Sequence, residues 1–165
     1  MSTTPRLALP FLAPGQAQKE FYHNEALQLL DIMVSATVEE PPLATPPGAP
    51  AVGSCYLVGS GPSGEWSGRS GQLACFTSGG WRYVVPRDGM SAFVRSIGVN
   101  AVYKAGSWEL GTLSGSTVVL GGTQVLGPRA AAIATPSGGS VADAQARATI
   151  GEILAAMRQH GLIEM

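Results

Sequence analysis

Charge is what this chain has least of. Only 13% of its 165 residues are Asp, Glu, Lys or Arg, against about 25% in an average soluble domain. The formal net charge is −1, which removes the attraction to phosphate that dominates nucleic-acid binding, so no nucleic-acid partner is expected. An exterior this neutral is expected to lie partly against other subunits. Long apolar runs are missing too: no stretch approaches the roughly eighteen residues of a membrane span, and no membrane insertion is expected. The opening MSTTPRLALPFLAPGQ holds one Arg and a short apolar run cut by Pro5, Pro10 and Pro14. It makes a poor signal peptide and reads as a structured or draped arm.

Reactive side chains are equally scarce, with two His and two Cys. H-x-x-x-H, C-x-x-C, a Walker-type loop and G-x-S-x-G are all absent. GSGPSG (Gly59 to Gly64) has G-x-G spacing but no helical pattern follows it, which makes it a weak match to a phosphate loop. His23 and His160 each fall in a predicted helix. His23 stands beside Asn24 and Glu25, with Asp31 further on, too few ligands for a metal. The reading is that His23 and Asn24 hydrogen-bond the arm. Glu65, Asp88 and Glu109 are free to meet in space as a glycosidase pair, but nothing in their spacing recommends it. The chain therefore reads as non-enzymatic, with no catalytic residue, metal or cofactor. Cys55 and Cys75 lie inside apolar runs and read as buried free thiols, as in a reducing cytosol. A disulfide requires adjacent strands to bring the two together.

What is present divides into four stretches. An arm and helix occupy residues 1–38, the helix running from about Ala17 to Val34, with His23, Leu27, Leu30 and Val34 at helical spacing and Ala26, Leu29 and Met33 widening the stripe. Such a face must be covered. Residues 39–50, EEPPLATPPGAP, hold five Pro in twelve and read as a stiff extended connector. Residues 51–135 alternate short apolar runs with Gly-rich turns and read as β, Gly121-Gly122 being a two-residue hairpin turn. Residues 136–165 hold a capped helix, with Ser140 as N-cap, Asp143 three residues on and Gly161 as the terminating residue. Its stripe is Ala146, Ile150, Ile153, Leu154 and Met157. At under three heptads it is too short for a coiled coil alone, and packs on its own β domain or on copies of itself. The fold class is α+β: a small antiparallel sheet or barrel of Gly/Trp hairpins flanked by an N-terminal helix and a C-terminal amphipathic helix.

Two decapeptides match. ACFTSGGWRY (Ala74 to Tyr83) aligns with AVYKAGSWEL (Ala101 to Leu110) at an offset of 27 residues. Each places an apolar run, a Gly turn and a Trp at the start of a return strand. This predicts two similar hairpins in one small sheet or barrel, with cross-strand aromatic pairs; chance hairpin chemistry is the alternative. Trp66, in the loop GPSGEWSGRSG, reads either as a platform for a sugar or as a ring folded back over its own hairpin.

LPFLAPGQAQKEFYHNEALQLLD (Leu9 to Asp31) resembles the opening of a family of uncharacterised prophage and gene-transfer-agent virion proteins. Members begin with L-x-x-P-F-x-x-x-G-Q-A-Q-K-x-x-x-H-N-E-A-L-x-x-L-D, and Gln16, Gln18, Lys19, His23, Asn24, Glu25, Leu27 and Asp31 stand at the matching places. The loop and first Trp hairpin, and the tail from Leu126, are similar to the same proteins. The resemblance implies a component of a phage-like particle, a spike or fibre base or adaptor that supports attachment to the host surface and is assembled in the bacterial cytoplasm. It supplies no catalytic residue. The expected partners are copies of the chain (a trimer first, a pentamer as the alternative), other particle proteins of capsid, spike or tail, and host polysaccharide. Under this reading Ala146, Ile150, Ile153, Leu154 and Met157 form the oligomer contact. Phe11, Gln16, Gln18, His23 and Asn24 pack the arm on the helix, and the arm through Phe11 anchors to the particle. The alternative function is a carbohydrate-binding module, with Trp66, Trp81 or Trp108 as stacking faces.

Overall fold

A computed structural model describes residues 2–13, 15, 19–139 and 143–164. The chain divides into two compact units, Met1–Thr112 and Leu113–Met165. The boundary falls inside the stretch read from sequence as one β region, because the last hairpin pairs only with itself.

The first unit holds helix α1 (Lys19–Met33) and seven strands: β1 (Thr37–Val38), β2 (Cys55–Leu57), β3 (Leu73–Thr77), β4 (Gly80–Val84), β5 (Ser91–Val94), β6 (Val99–Lys104) and β7 (Ser107–Leu110). They form two open sheets, β2-β3-β4 and β1-β5-β6-β7. All pairings are antiparallel except β1 on β5, which is parallel. The fold is thus α+β, with the strands in separate small sheets and neither closed into a barrel. The two Trp hairpins, expected in one sheet, sit in different ones.

Alternation along β2 and β3 builds the core. Cys55, Leu57, Leu73 and Cys75 project to one face, where they meet Val38, Ala92, Val94 and Ala101 of the second sheet and Ile32 of α1. Tyr56 and Ala74 project to the other, under Trp66 and Trp81. A strand covered on both faces reads as a continuous apolar run, which is why SCYLV and LACF show no alternation in sequence. The Pro-rich connector is not a free spacer. Its backbone runs along β2, with Glu39 N–H donating to Cys55 O (3.0 Å) and Leu43 N–H to Leu57 O (2.9 Å). The prolines sit where no ladder donor is needed.

The two matched decapeptides have the same register. Phe76 lies opposite Trp81 and Tyr103 opposite Trp108, with ring centroids 5.1 and 5.2 Å apart at 64° and 66°. The turns differ. Gly80 alone carries positive φ in the first, at 92°, whereas Ala105 and Gly106 stand at 48° and 89° in the second. Positive φ at both central positions suits the twist of a two-residue hairpin. Ala105 is the misfit, since Cβ disfavours that region.

α1 buries one apolar residue, Ile32, in the core and one polar residue, Asp31, beside it. The arm folds back on itself, with Thr4 N–H donating to Leu9 O (2.9 Å) and Phe11 N–H to Ser2 O (2.9 Å). Asp31, 1% exposed, accepts from the Thr4 hydroxyl (2.8 Å) and from the N–H groups of Arg6 (3.0 Å) and Leu7 (2.6 Å). In return the Arg6 guanidinium donates to the carbonyls of Asp31, Ile32 and Ser35 at the end of the helix. Those are carbonyls a helix leaves without internal partners, at its negative end.

The second unit contains a hairpin, β8 (Val118–Leu120) with β9 (Thr123–Leu126), and helix α2 (Ala144–Gln159). Gly121 and Gly122 take φ of 56° and 81°, the turn the sequence predicted. Ser140 lies outside the described residues; the N-cap is Asp143, whose carboxylate accepts from Ala146 N–H (2.9 Å). Gly161, at φ 70°, reverses the chain, with Leu162 N–H bonded to Met157 O (2.9 Å) and Gly161 N–H to Arg158 O (3.0 Å), the paired bonds of a Schellman motif. The tail then pairs with Ala130, burying Ile163, while Leu162 stays exposed.

Two outcomes follow for the first unit. Asp31→Ala strands one buried and two part-buried donors and is expected to cost about 2–3 kcal/mol in urea unfolding. Ala105→Asn is expected to add about 0.5–1 kcal/mol in the same assay, since Asn tolerates the left-handed region.

Candidate functional site

The three tryptophans have different fates. Trp66 begins no strand; it ends a single 3-10 turn, Gly64–Trp66, and is 0% exposed. Its ring stands 6.0 Å from Tyr56 and 5.1 Å from Trp81, and Trp81 closes the cluster against Phe76. Glu65 accepts from the Trp81 indole N–H (3.2 Å) and its backbone carbonyl accepts from the Tyr83 hydroxyl (2.8 Å). Loop and hairpin are thereby welded together. The choice left open for Trp66 resolves toward burial: neither Trp66 nor Trp81 has a free ring face, so neither can stack on a sugar. The loop GPSGEWSGRSG is tied down rather than mobile.

Trp108 is partly exposed. Tyr103 holds its ring edge-on, and its indole N–H donates to Gly71 O (2.8 Å). It borders a cleft of about 240 Å³ lined also by Pro42, Val58, Ser60, Ser70 and Ser107 and by backbone at Gly59, Gly71 and Gly106, with the Ser70 and Ser107 hydroxyls donating to Gly59 O and Lys104 O. One aromatic edge among hydroxyls and bare backbone is the chemistry of a small polar-ligand subsite.

The remaining candidates for chemistry are scattered. Asp88 accepts from Ala105 N–H (3.1 Å) and steadies the second Trp turn. Glu109 lies on β7 opposite Val102. Among the described residues no three His, Cys, Asp or Glu gather to hold a metal ion, and no helix is long and apolar enough to cross a membrane.

Of the residues expected to pack the arm on the helix, Asn24 does so through both its amide atoms: it accepts from Leu12 N–H (2.9 Å) and donates to Leu12 O (3.2 Å). Phe11 is half-buried within the folded arm. His23 turns to Lys19 O (2.8 Å) in its own helix and stays exposed, because it lies round the helix from Asn24. Gln16 and Gln18 lie outside the described residues. An arm fastened this way is no loose tether.

A surface emerges along the stripe that sequence periodicity marked on α1. Most of the apolar stripe of α1 is exposed: Ala26, Leu29, Leu30, Met33 and Val34, with Tyr22 near them at 74%, while Leu27 is half-buried. Asn24 and Asp31 occupy the inner side, and Glu25 pairs with Arg82 at 3.0 Å. The stripe, expected to be covered, is not covered by the arm, which bonds Asn24 and Asp31 on the opposite side. The second unit is also bare. Ile150 and Ile153 are exposed on α2, Ala146 with them, while Leu154 is buried and so withdrawn from the contact proposed for it. Val118, Val119, Leu120, Val125 and Leu126 are all exposed on the hairpin, within a stretch from Gly111 to Pro128 that holds no charge.

A family model described as a protein of unknown function, DUF2793, matches residues 23–109, more than half of the chain. The chain belongs to the DUF2793 family. The match ends at Glu109, on the last strand of the first unit, so it takes in both Trp hairpins, the aromatic cluster and the Trp108 cleft. The second unit lies beyond it. No curated protein matches the chain.

Trp66→Ala is expected to cost about 3–5 kcal/mol, the range for emptying a large buried aromatic site. Trp108→Ala is expected to cost less than half of that, in urea titrations followed by circular dichroism.

Proposed function

We propose that this DUF2793 chain is a non-enzymatic structural component of a phage-like particle, a spike or fibre base that assembles with copies of itself and supports attachment to the host surface. The exposed apolar side chains of α1 support the self-assembly in this reading; the particle setting rests on the resemblance carried by Leu9 to Asp31. Tyr22, Leu29, Leu30, Met33 and Val34 are exposed there, and Phe21 and Phe93 are exposed as well; apolar side chains grouped this way on a surface mark an interaction site. A copy of the chain suits it, because Lys19 is the charged residue on that side and little opposes like meeting like. The uncharged hairpin and the Ile150–Ile153 face of α2 offer further contacts of the same kind. Closed cyclic symmetry is the usual arrangement of identical subunits, a trimer first and a pentamer next.

A second reading has its own support. The Trp108 cleft has the make-up of a carbohydrate subsite, so a sugar-binding role rests on Trp108 with Ser60, Ser70 and Ser107, and no longer on Trp66 or Trp81.

Light scattering of the purified chain tests the first reading. The expected result is a closed oligomer that Leu30→Asp with Met33→Asp dissociates at least 10-fold more readily, with the far-ultraviolet spectrum unchanged. Ile150→Asp with Ile153→Asp reports the α2 contact separately. A wild-type chain that stays monomeric at high concentration, and is missing from a cryo-EM map of the purified particle, would defeat it. Glycan-array binding lost in Trp108→Ala would favour the second.

A further inference from the structure

The two cysteines, far apart in sequence, are direct cross-strand partners: Cys55 on β2 faces Cys75 on β3. The backbone bonds Phe76 N–H to Ser54 O (2.9 Å) and Val58 N–H to Gln72 O (2.9 Å) fix the phase of the ladder. They make 54/76 and 58/72 hydrogen-bonded pairs, which leaves 55/75 a non-hydrogen-bonded pair. At such a pair Cα atoms approach to about 4.5 Å, inside the range of about 4.4–6.8 Å a disulfide spans. Both side chains point to the same face, and both thiols reach one acceptor: Cys55 Sγ lies 3.6 Å and Cys75 Sγ 3.7 Å from Gly53 O. They are 1% and 0% exposed and unbridged. No third ligand joins them among the described residues, which argues against a metal.

We propose that Cys55 and Cys75 are a latent disulfide site, a dithiol in a reducing compartment and a cross-strand staple after oxidation. The oxidant is a small disulfide such as oxidised glutathione. One cysteine thiolate attacks it, forming a mixed disulfide and releasing one glutathione thiolate. The second cysteine then displaces the other, so that two S–H bonds are lost, one S–S bond forms between the strands, and the oxidant leaves as two thiols. Only the thiolate attacks. In the closed sheet the hydrogen bond with Cys75, and burial after it, push the Cys55 thiol far above its ordinary range. The folded dithiol is therefore protected, and exchange proceeds when β2 opens or before it closes. Once formed, the bond closes a loop that contains Trp66 and ties down the strands the core is built on. It narrows the unfolded ensemble and raises stability.

The test uses the full chain. It is unfolded, refolded with oxidised glutathione, and compared with native chain given the same reagent for minutes. Thiols are then alkylated under denaturing conditions and masses measured. The expected result is a refolded chain lacking both alkyl groups, with a Cys55–Cys75 peptide pair on mapping. Its melting temperature is expected to be higher by roughly 5 °C, an increase abolished by dithiothreitol. The briefly treated native chain should carry both alkyl groups. Cys75→Ala should show no such rise under either treatment. Two alkylated cysteines after oxidative refolding to the native spectrum, or disulfides only between chains, would overturn the proposal. So would an internal bond that leaves the melting temperature unmoved.

Discussion

A buried carboxylate has to be satisfied, and the way Asp31 is satisfied shapes the first unit. Three donors from the arm converge on it, and Arg6 answers by capping the carbonyls at the end of α1. The two sets of bonds support each other, since leaving a buried charge unpaired costs several kcal/mol. The exchange holds the arm folded against α1. It also leaves Tyr22, Leu29, Leu30 and Met33 exposed, while Ile32 reaches the core.

The Trp hairpins solve a different problem. Seven short strands in two open sheets hold few backbone bonds apiece, and pairs of short strands are marginal in water. Burying Trp66 and Trp81 against Tyr56 supplies, on one face of β2 and β3, the apolar area such strands lack; the second sheet supplies it on the other. The repeated aromatic–Trp pair sets the register in both sheets, while the turn beneath it varies. Pattern conservation within this chain therefore lies in the cross-strand contact and not in the backbone of the loop.

Low charge now has a location. Several ionic groups of the first unit have partners within it, Asp31 in the arm and Glu25 with Arg82 and Glu39 with Arg95 at its surface. The outer face of α1, the β8–β9 hairpin and the outer face of α2 are left with almost none. An architectural role explains that distribution as surface meant to be covered, and the membership in DUF2793 is neutral on it.

Much of the fold was legible from residues alone. Two helices, the Gly121-Gly122 turn and the Gly161 terminus are local, written in a few adjacent side chains whose dihedral needs are known. The matched decapeptides are likewise local, and their common register followed from hairpin length. Other features rest on contacts between distant residues. Periodicity found the stripe of α1 but not which part of it stays exposed, since that depends on segments distant in sequence, such as the arm, whose donors bond a helix residue some 25 positions away. Trp66 could be platform or plug until Tyr56 and Trp81 were placed around it. Cys55 and Cys75 became partners only through the register of β2 on β3. Sequence sets what each segment can form; which face is buried is settled by what else arrives there, and only the assembled structure holds that information.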